Sequence, residues 1–242
     1  MASLYLASGS ELQDAVAGSV VTFGGDEARH AVAVARVRVG EKISVGDGQG
    51  LLVAGVVASL DGGVVSLEAR DVRREAAAVP ELWLAQALAK GDRDELAIQA
   101  ATELGVAGVI PWAAERSVSR WEGAKAAKGR ERWASIVREA TKQSIRSHIP
   151  TVDPIASTST LSRLPGRILV LEPDAEHKLT DLAVEGDRFT LVVGPEGGIS
   201  PRELEIFEAA GATLVRLGPE VLRTSTAGPA ALAVLNARLN RW

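Results

Sequence analysis

Two stretches of this chain combine residue types that can do chemistry. The first is LVVGPEGGIS, Leu191–Ser200, in which an apolar run breaks into Gly194, Pro195, Glu196, Gly197 and Gly198. The second is LGPEVLRTSTA, Leu217–Ala227, which sets Arg223 beside three hydroxyl residues. Glycines let a ligand approach the main chain. A strand, a glycine turn and a helix N-terminus together can cradle a polar or anionic group. Ser200, Pro201 and Glu203 have the order of a capping box, so a helix begins there. Neither stretch is a dinucleotide fingerprint or a P-loop, because G-x-G-x-x-G and G-K-[ST] are both absent.

The elements that must position these loops read as α/β. Ile168–Glu172, Thr190–Val193 and Thr213–Leu217 are short apolar strands, each ending in a candidate ligand loop. Strand–glycine–helix units in series put their loops at the carboxyl edge of one parallel sheet. Upstream, Leu82–Leu88 and Val106–Pro111 read as strands flanking a helix over Arg93–Leu104. Asp92 and Glu95 are its capping pair, and Gly105 ends it. Gly129–Arg146 reads as a basic amphipathic helix with Trp133, Ile136, Val137 and Ala140 on its apolar face. Ala156–Pro165 is Ser/Thr-rich and reads as a surface excursion.

The first 74 residues have a different texture. Val20–Phe23, Lys42–Val45, Leu51–Leu60 and Val64–Ala69 are strand-like, with D-G turns at Asp47-Gly48 and Asp61-Gly62. Asp26–Val34 reads as one helix capped by Asp26. Short strands with such turns suggest a small barrel. Arg70–Pro80 is the linker candidate.

Bulk properties exclude several classes. The 242 residues hold no cysteine, which removes thiolate nucleophiles and Cys-ligated metals. His30, His148 and His177 lie far apart, so no metal site is expected. No run reaches the roughly 18 apolar residues of a membrane span. MASLYLASGSELQ lacks a signal peptide's basic start and apolar core, and a cytoplasmic protein is expected. The net charge is −4, yet Arg116–Arg146 carries nine basic residues against three acidic ones. Such a segment is either a solvated helical face or a phosphate-tracking surface.

GPEGGIS followed by LGPEVLRTSTA resembles the paired C-terminal motifs of the ribosomal RNA small subunit methyltransferase E family. These are 16S ribosomal RNA (uracil-N3)-methyltransferases of the SPOUT, or α/β-knot, superfamily. The helix followed by RVRVGEKISVGDGQG resembles the family's PUA-like domain. LAKGDRDELAIQAATELGV and AERSV resemble the start of its knotted domain, and EATKQSIRSHIP resembles a segment near its active site. The likeness spans nearly the whole chain. It is strongest over Leu191–Leu235 and weakest between Thr151 and Asp187.

The resemblance implies an α/β fold with a PUA-like β-barrel (1–74) for RNA binding and a SPOUT methyltransferase domain (75–242) containing a trefoil knot. It implies S-adenosyl-L-methionine bound by Leu171, Glu172, Gly194, Pro195, Glu196, Gly197, Gly198, Leu217, Gly218, Val221, Leu222 and Arg223. It implies methylation of a uridine N3 in the decoding region of the small ribosomal subunit. Arg223 would stabilise the uracil anion, and Glu196 would be either a base or a cofactor-orienting carboxylate. Arg116, Arg120, Arg138, Lys142, Gln143 and Arg146 would face RNA. A homodimer is implied, with Ala230–Leu239 at the interface. Four positions depart from the family's common pattern. Ala100 replaces a lysine, Lys142 an acidic residue, Ile145 a glycine and Ser225 a glutamate. Two other readings share these features: a SPOUT enzyme acting on a ribose 2′-hydroxyl, and a silent RNA-binding protein.

Overall fold

The computed structural model describes residues 3–242, apart from the side chains of Ser10 and Glu11. The chain forms two compact units. One comprises the chain up to Ala77 with Thr141–Ile149, and the other comprises Ala78–Ala140 with Pro150–Trp242.

The first unit is built on a curled five-stranded sheet. Its strands are β1 (Leu4–Leu6), β2 (Val20–Phe23), β3 (Lys42–Gly46), β4 (Leu51–Asp61) and β5 (Val64–Arg74), in the order β1-β3-β4-β5-β2. β1 runs parallel to β3, and the other pairs are antiparallel. Register shifts at Ala54/Gly55 and Val57/Ser59 bend β4 over a core of Tyr5, Val21, Ile43, Val53 and Leu67. The Asp47 carboxylate accepts N–H bonds from Gln49 and Leu51 and so shapes the β3–β4 turn.

Several expectations for this unit need correction. The α1 turn spans Ser10–Gln13. The next helix, α2 (Gly25–Arg29), starts before Asp26, with Gly24 at its N-cap. It then widens into a π-turn over His30–Val34, where the Ala35 N–H reaches the His30 carbonyl. Arg70–Arg74 belongs to β5 rather than to a linker, because the eleven-residue β4 pairs along it as far as Arg74.

The second unit holds a wholly parallel seven-stranded sheet. Its strands are β6 (Glu81–Ala87), β7 (Gly108–Trp112), β8 (Thr151–Val152), β9 (Arg167–Leu171), β10 (His177–Lys178), β11 (Arg188–Val193) and β12 (Thr213–Arg216). The order is β10-β12-β9-β11-β6-β7-β8. β6, β7 and β11 are buried almost end to end, as a sheet covered on both faces requires.

Residue alternation along β6 sorts the two faces. Trp83, Ala85 and Ala87 join a cluster with Trp112, Leu161, Val192 and Phe207, the last from α6 (Pro201–Ala209). Leu84 and Gln86 point the other way, toward α7 (Thr224–Arg238), which also packs on α3 (Arg93–Glu103). Gly228 brings α7 close to the sheet, since a Cβ there would lie 2.9 Å from Leu84 Cδ1. The Asn236 amide donates to the Leu104 carbonyl and so ties α7 to the end of α3.

Boundaries moved here too. The basic helix α4 begins at Ala124, not Gly129, and ends at Gln143. Trp133, Val137 and Ala140 on it are buried, as its periodicity requires. Ala156–Pro165 is no mere excursion: Ser157 caps α5 (Thr158–Leu161), and Leu161 is wholly buried. Asp92 sits at the α3 N-cap without a side-chain bond, while the buried Asp94 carboxylate accepts the Ala89 N–H.

Ile145 adopts φ 54°. A β-branched side chain is strained in that left-handed region, which costs about 1–2 kcal/mol. Ile145→Gly should therefore leave urea-unfolding stability unchanged or raise it by up to about 1 kcal/mol. Ile136→Gly, inside α4, should cost at least about 1 kcal/mol. A clear loss for Ile145→Gly would contradict the strain.

Candidate active site

Because β9, β11 and β12 are parallel neighbours, their carboxyl ends open onto one edge. There the chain leaves β9 at Glu172, β11 at Gly194 and β12 at Leu217. The three loops enclose a cleft of about 500 Å³. That volume lies within the range of small-molecule sites. Of the twelve expected cofactor residues, eleven line it. Gly197 does not, although it lies in the same turn and faces the Arg116 side chain.

Local sequence explains the glycine turn. Gly198 has φ +72°, and a Cβ on Gly194 would lie 2.7 Å from Ile199 Cγ1. The Gly198 N–H bonds back to the Pro195 carbonyl. The expected capping box is present: Ser200 and Glu203 each accept the other's backbone N–H at 3.2 Å.

A buried polar chain fixes the second loop to the first. The Gln86 amide donates to Thr224 Oγ1 at 2.8 Å, and that hydroxyl donates to the Gly194 carbonyl at 2.8 Å. Thr224 opens α7, and Arg223 is its N-cap. The tie thus sets Arg223 relative to the glycine turn. Thr224 stands in the second of the two chemistry-bearing stretches, whereas Gln86 is not among the candidate site residues of the sequence. The available signal was a glutamine inside the otherwise apolar LWLAQAL.

Four guanidinium groups and three carboxylates line the cleft. Arg93 pairs with Glu196 at 2.8 Å, and the Lys90 N–H also donates to that carboxylate. Burial alone would raise the Glu196 carboxyl. The N–H donors and Arg93 outweigh it and hold the group below the usual range. A carboxylate so held is a weak base and a good anchor. Burial pushes the Glu172 carboxyl upward, against an N–H from Asp174 and the charge of Arg116. Arg216 donates to the Ala175 and Glu176 carbonyls and fixes the loop after β9. Arg223 is exposed, with no side-chain hydrogen bond or ion pair among the described residues.

The expected RNA-facing residues divide between the two units. In the second, Arg116 donates to the Gly197 and Ile199 carbonyls, and Arg120 to those of Ala114 and Glu115. Both are exposed, and their charges are not met by a carboxylate in these bonds. Arg138 is half-buried on α4. In the first unit, Lys142 forms a 3.2 Å ion pair with Glu27, and both are largely buried. Burial pushes the Arg146 guanidinium down to about 10. Gln143 is exposed.

No group of three or more His, Cys, Asp or Glu side chains suited to a metal occurs among the described residues. No helix among them is long and apolar enough to cross a membrane.

Known proteins match this chain along most of its length. A family described as RNA methyltransferase domain matches residues 76–236, and one described as RNA methyltransferase PUA domain matches residues 23–68. The ribosomal RNA small subunit methyltransferase E of Mycobacterium bovis is 43% identical over 235 residues, covering 93% of this chain and 89% of its own. The Bacillus subtilis protein of the same name is 31% identical, with 88% of each chain covered. A crystal structure of a ribosomal RNA small subunit methyltransferase E from Neisseria gonorrhoeae bound to S-adenosyl methionine matches with a TM-score of 0.85. It is 29% identical and covers 98% of each chain.

Two predictions follow from the bonding around the turn. Thr224→Val takes the hydroxyl from the Gly194 carbonyl and leaves the Gln86 amide only the Ala87 carbonyl, and it should cost about 1–3 kcal/mol in urea unfolding. Glu196 has a lowered value in the folded state, so its stabilisation is present above the unfolded carboxylate value of about 4.3. It is lost as pH falls through the lower folded value. Wild type should exceed Glu196→Gln by at most about 1 kcal/mol at pH 7, and the gap should shrink as pH falls below the usual carboxylate range. A gap that widens on acidification would contradict the pairing.

Proposed function

The chain belongs to the ribosomal RNA small subunit methyltransferase E family, and from that premise we propose that it methylates N3 of a uridine in the decoding region of 16S ribosomal RNA, with S-adenosyl-L-methionine held in the cleft. The observation that carries this reading is Arg223, unpaired among the described residues, on the same cleft as a glycine-lined backbone cradle. The cleft suits such a cofactor. Backbone at Gly194, Gly198 and Gly218 is open to a ligand's polar edge, and Leu217, Val221 and Leu222 offer an apolar wall. Glu196, anchored by Arg93 and Lys90, is read as orienting the turn and the cofactor rather than as a base.

When bound, the cofactor supplies an electrophilic methyl group on a sulfonium. The protein must align the uracil nitrogen and favour loss of the N3 proton. Alignment falls to the three loops. Arg223 is read as stabilising negative charge that spreads onto a uracil oxygen as N3 gives its proton to solvent.

The finer architecture is part of the same reading. The order β12-β9-β11, with α7 returning over β6 and β11, supports a trefoil knot. The curled sheet supports a PUA-like barrel that aids RNA docking. Arg116, Arg120, Arg138 and Gln143 are read as RNA-facing. Lys142 and Arg146, paired or buried, are read as shaping the first unit. Ala233 and Val234 stay half-exposed on α7, which supports a homodimer using Ala230–Leu239. A cytoplasmic setting follows from a ribosomal substrate.

Labelled methyl transfer to small ribosomal subunits lacking the modification, beside naked 16S RNA, tests the reading. N3-methyluridine is the expected product, and a 2′-O-methylated nucleoside would overturn it. Arg223→Ala should lower kcat, measured at saturating cofactor, about 100-fold. The deficit should narrow as pH rises, because N3 then loses its proton unaided. An unchanged kcat would remove Arg223 from the chemistry.

A further inference from the structure

Glu203 does more than cap α6. Its side chain is buried, with the residue 4% exposed, and its carboxylate accepts three hydrogen bonds from three separate segments. Oε2 takes the Ser200 N–H of the cap. Oε1 takes the Glu115 N–H at 2.9 Å and the Thr158 hydroxyl at 2.8 Å. Thr158 is itself held by the Trp112 indole N–H. The Ser200 hydroxyl, having accepted the Glu203 N–H, donates onward to Glu115 Oε2 at 2.6 Å. Glu115 is thus gripped through both backbone and side chain by the start of α6.

The next residue, Arg116, reaches back over the glycine turn. Its guanidinium donates to the Gly197 carbonyl at 3.1 Å and the Ile199 carbonyl at 3.4 Å. A Cβ on Gly197 would lie 3.3 Å from Arg116 Cβ, so glycine permits this close lie. Arg116 and the turn then form one wall of the cleft.

We propose that Glu203 is a positioning residue for methyl transfer: it fixes the Glu115–Arg116 segment against the glycine turn, so that the turn's carbonyls are held by Arg116 in the orientation the cofactor requires. This rests on the reading of the cleft as the cofactor site. The carboxylate, accepting only, suits three donors. A glutamine would turn an NH2 group against an N–H or a hydroxyl.

Because the two residues act in series, their effects are not independent. The test is a double-mutant cycle on S-adenosyl-L-methionine Kd, measured by calorimetry with full-length protein below its unfolding transition. Arg116→Ala and Glu203→Gln should each weaken binding about 10-fold, and the double variant also about 10-fold rather than about 100-fold. If Glu203→Gln does not fold, Thr158→Val takes its place. It removes one donor and spares the cap, and it should weaken binding about 3-fold in the wild-type background and not at all with Arg116→Ala. Independent, multiplying effects would overturn the proposal while leaving the cleft's assignment intact. Equally, a melting temperature lowered by Glu203→Gln with Kd unchanged would make the residue merely structural. If the wild type itself fails to bind S-adenosyl-L-methionine, the assignment of the cleft falls first, and this inference falls with it.

Discussion

The site depends on one constraint, the parallel alignment of β9, β11 and β12. Parallel neighbours end at the same edge, so three loops far apart in sequence must meet. Covering both faces of the sheet with helices leaves that edge as the place where backbone groups are free to bind. The apolar runs of the three strands therefore do more than fill a core. They decide where Glu172, Gly194 and Leu217 come to lie.

Alignment alone would leave flexible loops. Each is tied by a bond the local sequence does not announce. Arg216 holds the loop after β9, Thr224 joins the start of α7 to Gly194, and Glu203 joins the start of α6 to the Arg116 segment. The ties lie mostly under the cleft or at its rim. The result is a cradle whose cations are nearly all committed: Arg93 to Glu196, Arg116 and Arg216 to carbonyls. Arg223 stands apart because nothing in the described structure neutralises it. Buried donors and acceptors that fix a site in advance lower the cost of organising it around a ligand.

Much of this was legible in the sequence, for physical reasons. The glycine turn, the Ser200–Glu203 capping box and the three apolar strands are local signals, and local signals survive in a linear reading. The face of α4 that buries Trp133 and Val137 was legible from its period. The partners of polar side chains were not. Thr224 bonds to Gln86 across 138 positions, and Lys142 to Glu27 across 115. Charge counts cannot foresee that Lys142 and Arg146 turn inward, or that Arg120 spends its donors on nearby carbonyls. The strained φ of Ile145 was visible only as a departure from a family habit, and the backbone gives the departure its physical meaning.

The most direct test of the central claim, that three converging loops form the cofactor cradle, is hydrogen–deuterium exchange with and without S-adenosyl-L-methionine. Protection is expected in segments carrying the amides of residues 171–172, 194–198 and 217–224, with little change in β1–β5. Protection confined to one loop, or appearing chiefly in the curled sheet, would contradict the convergence on which the account stands.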